Sequence, residues 1–85
     1  MAKVIMGVEL EQRRDTATEV QEILTDYGCF IKTRLGLHQA SDNREVCSEK
    51  GLIILEFIID ADKEATEMQE KLEKVEGVVV KQMAF

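Results

Sequence analysis

The stretch Gly51-Leu52-Ile53-Ile54-Leu55-Glu56-Phe57-Ile58-Ile59 carries a single charged side chain, Glu56. Successive side chains of a strand point to opposite faces, so an apolar run without alternation needs cover on both. The run therefore predicts a central strand over Leu52–Ile59, flanked on both edges and layered on both faces. A chain of 85 residues forms one domain, residues 1–85, and buries only about 60–65% of the surface its unfolded form exposes. Its core is thin, and a second subunit is the usual cover for a sheet face that its own helices leave bare.

The other elements follow from periodicity. Val4 to Leu10 alternates, with Val4, Met6, Val8 and Leu10 on one face and Ile5, Gly7 and Glu9 on the other, as in a strand with one face in the core. Thr16-Ala17-Thr18-Glu19 fits a capping box, and Ala17, Val20, Ile23, Leu24 and Tyr27 then recur at helical spacing until Gly28 ends the helix. Tyr27 on that stripe reads as a core or rim residue. The next strand, Cys29 to Leu37, is expected to turn Ile31, Thr33, Leu35 and Leu37 one way and Phe30, Lys32 and Arg34 the other. Gly36 inside it suggests a bulge, and Cys29, in phase with Ile31, is expected to be a small buried residue.

Asp62 is the expected N-cap of a second helix whose apolar stripe is Ala65, Met68, Leu72 and Val75. Asp60, Asp62 and Glu64 are better explained by that cap and its first turn than by metal or acid–base chemistry. Gly77 ends the helix, and Val78–Phe85 forms a last strand marked as an edge by Lys81 and Gln82. The order βαββαβ predicts the α+β, ferredoxin-like plan, a four-stranded antiparallel sheet with both helices on one face. The first and third strands, the most apolar two, belong at its centre.

Charge and length exclude several functions. A net charge of −6 argues against a nucleic-acid surface, which needs clustered Lys and Arg. No apolar stretch approaches bilayer-spanning length, and Met1–Met6 is too short for a signal peptide, so a cytoplasmic location is expected. Two cysteines are too few for a disulfide scaffold.

Val20-Gln21-Glu22-Ile23-Leu24-Thr25-Asp26-Tyr27-Gly28, running into Ile31-Lys32-Thr33-Arg34-Leu35-Gly36-Leu37, resembles the small regulators of the iron-only hydrogenase system. That family is similar to ACT regulatory domains and to the C-terminal domain of the nickel-responsive repressor. The resemblance implies an oligomeric, non-enzymatic regulatory or ligand-sensing domain. Glu11-Gln12-Arg13-Arg14-Asp15 stands where ACT domains carry a glycine-containing amino-acid-binding loop.

The residues with chemistry to offer are His38 and Cys47. They flank or occupy Gln39–Lys50, a polar connection far longer than a hairpin needs and expected to be mobile. An imidazole and a thiolate suit zinc, nickel or copper, and zinc or nickel is the expected metal. Two side chains do not complete a four-ligand site, so a two-fold axis supplying a second pair is expected. The repressor's domain, which holds its metal between subunits through histidines and a cysteine, points the same way. The competing reading is a small dimeric ferredoxin-like enzyme with His38 as acid–base, although no third group completes a nucleophilic set. A homodimer or tetramer through the sheet face away from the helices is expected, because Ile5, Phe30, Ile54, Ile58, Val79 and Met83 share outward parity. Lys32, Arg34, Glu56 and Lys81 are expected on the same face.

Overall fold

A computed structural model describes residues 2–11, 14–38 and 50–85. Along the chain come β1 (Val4–Glu11), α1 (Arg14–Asp26), a 3-10 turn (Gly28–Phe30), β2 (Ile31–His38), β3 (Lys50–Phe57), α2 (Asp62–Glu73) and β4 (Val78–Ala84). The strands form one antiparallel sheet in the order β2-β3-β1-β4, so the two most apolar strands are central, as their patterns require. This is the ferredoxin-like βαββαβ plan.

One face of the sheet and both helix stripes make a single core. Val4, Met6, Val8 and Leu10 of β1 meet Ile53, Leu55 and Phe57 of β3 and Val80 of β4. Val20 and Leu24 of α1, with Tyr27, cover them from one side, and Ala65, Met68 and Leu72 of α2 from the other. Both helices begin earlier than their expected caps imply. α1 begins at Arg14, so Thr16 lies inside its first turn. Ala61, not Asp62, occupies the N-cap of α2, and no side chain caps there. Gly77 has the positive φ, 82°, expected after a helix. Gly28 does not; α1 instead passes into the 3-10 turn, where Phe30 N–H donates to the Tyr27 carbonyl at 3.0 Å.

The largest departure from simple alternation is in β2. Ile31 stands opposite Phe57, but Thr33 stands opposite Glu56, so Lys32 is an extra residue, a β-bulge. The bulge reverses the phase of everything after it. Ile31 packs against the core, whereas Leu35 is paired with Ile54 on the outer face and is half exposed. Arg34 moves to the helix side, where its Nη2 donates to Gln21 Oε1 of α1 at 2.7 Å. Phe30 is partly buried against the core rather than outward, Cys29 is exposed in the turn rather than buried, and Gly36 carries no bulge.

Candidate functional site

The antiparallel register gathers four strand ends on one edge of the molecule. Leu10 pairs with both Gly51 and Val78, Glu11 pairs with Lys50, and His38 pairs with Gly51. His38, the end of β1 and the start of β3 therefore belong to the same end of the sheet, from which the connections after β1 and β2 both depart. His38 sits in backbone phase with Arg34 and Gly36. Cys47 lies outside the described residues, as does the whole 39–49 connection, so the expected pairing of His38 with Cys47 rests on sequence. Among the described residues no three His, Cys, Asp or Glu side chains group as metal ligands do. Asp60, one of the acids flanking α2, is used structurally: its Oδ1 accepts from Ala2 N–H at 2.9 Å, and its own N–H donates to the Ala2 carbonyl.

Two polar arrangements stand out on the sheet and helices. On the outer face Glu56 of β3 ties β2 to the residue just before β1: Lys3 Nζ lies 3.2 Å from Oε2, and Thr33 Oγ1 donates to Oε1 at 3.0 Å. These hydrogen bonds from Lys3 and Thr33, with the positive charges of Lys3 and Lys32, hold the Glu56 carboxyl below its ordinary value of 4.5. A carboxyl depressed on folding stabilises above its unfolded pKa, and that contribution disappears as pH falls through the folded value. An NMR titration of Glu56 is expected to show a midpoint below 4.5, and Glu56→Gln is expected to flatten the acid limb of the stability curve. A midpoint at or above 4.5 would mean that the bridge does not persist in solution.

The second arrangement is on the helix side. Lys71 of α2 lies 4.9 Å from the ring centre of buried Tyr27, and hydrogen bonding to Tyr27 raises its pKa above the usual 10.5. It ties α2 to the end of α1 and leaves Tyr27 no free ring face for ligand stacking on that side. Beside α1, an open depression of about 450 Å³ is lined by Ala17, Thr18, Gln21, Glu22, Thr25 and Asp26. The Arg34 guanidinium reaches Gln21 at its rim, a link that the bulge creates and that alternation alone does not reveal. No described helix is long and apolar enough to cross a membrane.

Comparison with known proteins places this geometry. The chain is similar over its whole length to the uncharacterized protein TM1266 from Thermotoga maritima (TM-score 0.81, 23% identity, covering 100% of this chain and 99% of that one). It is similar in fold to the ACT domain from the GTP pyrophosphokinase of Chlorobium tepidum (TM-score 0.65, 20% identity, 95% and 96% covered). CPII from Thiomonas intermedia K12, solved bound to ADP, AMP and acetate, shares the fold more distantly (TM-score 0.55, 12% identity, 99% and 86% covered). No curated protein matches. Residues 3–82 match the TM1266-like, iron-only hydrogenase system regulator family, nearly the full sheet and both helices, and the chain belongs to that family.

Proposed function

We propose that this chain is a small cytoplasmic sensor domain that binds a small ligand or a transition metal and passes on its occupancy through self-association. The observation that carries this reading is the uncovered outer sheet face on a domain of a regulator family. Leu35, Val79 and Met83 are each about half exposed there, and patches of this kind mark interaction surfaces. The ligand end is the strand-end cluster around His38, from which the long connection between β2 and β3 leaves the sheet beside the end of β1. Ligand chemistry on the same plan supports it, since the distantly similar CPII holds ADP, AMP and acetate. In this reading, His38 and Cys47 are the donors when the ligand is zinc or nickel.

The test is a melting-temperature and light-scattering screen against adenine nucleotides, amino acids, zinc and nickel. One class is expected to raise the melting temperature and change the mass distribution while being recovered chemically unchanged. Silence across the whole panel in both readouts would sink the sensor reading, and conversion of a ligand would replace it with catalysis.

A further inference from the structure

Gly7 stands in the middle of β1, a central strand, with Ile54 opposite on β3 and Lys81 opposite on β4. Glycine weakens a strand interior and there commonly marks the close approach of another group to the backbone. No contact among the described residues asks for it. Among the described residues the glycine with positive φ is Gly77. A Cβ on Gly7 would meet only Ile54 Cδ1, at 3.8 Å, an ordinary contact. The isolated domain would therefore accept a side chain at position 7, and the strand would be stronger for it. Its absence leaves a dimple rimmed by Ile5, Ile54 and Lys81 at the centre of the outer face.

We propose that this face packs against the same face of a second copy of the chain, with a partner side chain seated in the dimple over Gly7. The inference rests on the self-association read above and names the surface and the contact. Charge favours a second copy over a different partner. The outward positions carry Lys3 and Lys81, with Lys32 at the bulge beside Glu56, against Glu9 and Glu56, a set within one charge of balance. The chain's net charge is −6, and its acidity lies on the helices, in Glu19, Glu22 and Asp26 of α1 and Asp62, Glu64, Glu67, Glu70 and Glu73 of α2. A strongly basic partner would be drawn to the helices, whereas a flat, apolar, nearly charge-balanced face suits one of its own kind. Two-fold pairing also places the same patch on both sides, so one set of residues provides both knobs and dimple.

The experiment is sedimentation over a dilution series for wild type, Gly7→Val and Met83→Glu, with circular dichroism to confirm folding. Wild type is expected to associate, and each variant to raise the dissociation constant by roughly tenfold or more, as loss of a central contact does. Met83 is exposed in the single chain, so its variant decides the matter if Gly7→Val does not fold. An assembled wild type with both variants within about twofold of it would overturn the Gly7 contact and move association to another surface; the sensor reading would survive. A wild type that is monomeric at tens of micromolar would overturn the face contact and, with it, transmission by self-association.

Discussion

Phe57→Ala is expected to cost about 3–5 kcal/mol and to remove most or all cooperative folding. Phe57 is 1% exposed and is among the largest fully buried side chains of the core. It lies at the end of β3, opposite Ile31, just where the chain leaves the sheet for α2. Truncating it opens a void in the core that it shares with side chains of the sheet and the helices. A domain of this size has a total stability of about 4–13 kcal/mol, so the loss is a large fraction of the whole. Urea unfolding at a fixed protomer concentration measures it, because association adds its own stability. A loss under about 1.5 kcal/mol would show that the core relaxes around the missing ring.

The other large effect concerns the proposed donors. Zinc or nickel at about a hundredfold excess over its dissociation constant is expected to stabilise the protein by about 2.7 kcal/mol. At about 4–8 °C per kcal/mol for a domain this small, the melting temperature rises by roughly 11–22 °C. His38→Ala and Cys47→Ala should each abolish most of that rise, since a four-ligand site does not survive the loss of a symmetry-related pair. Binding should also weaken as pH falls, because imidazole and thiol must lose protons to ligate. Protein purified without an affinity tag that contains no metal, and whose melting is unmoved by either ion, would eliminate the metal arm and leave a small-molecule ligand.

Most of the fold was legible because each element has one period and buries one stripe. Val4, Met6, Val8 and Leu10 read as inward and are inward; Ala65, Met68 and Leu72 read as a helix stripe and are one. The two-sided apolarity of Leu52–Ile59 placed β3 centrally, although the strand ends at Phe57 and leaves Ile58 and Ile59 exposed beyond it. β2 was misread in part because a bulge leaves no trace in alternation. Ile31, Thr33, Leu35 and Leu37 alternate without interruption along the sequence, yet Lys32 takes up one residue and turns Leu35 outward and Arg34 inward. Cys29 failed for a related reason, since the strand pattern was extended back into a 3-10 turn. The family was legible in the run from α1 through Gly28 into β2, which carries local structure as well as kinship. The ligand was not, because His38 and Cys47, the residues with chemistry to offer, flank or lie in a run of sequence with no periodicity to read.

The division of charge between the two sides of the domain makes ionic strength a structural reporter. Contacts through the nearly balanced outer face carry little net Coulomb energy, so added salt should leave them nearly unchanged or strengthen them as apolar burial does. A partner drawn to the acidic helix side would instead be released as the screening length shrinks from about 10 Å at 0.1 M to about 3 Å at 1 M. In a mixture of assemblies, the one that persists in high salt is the one built on the sheet.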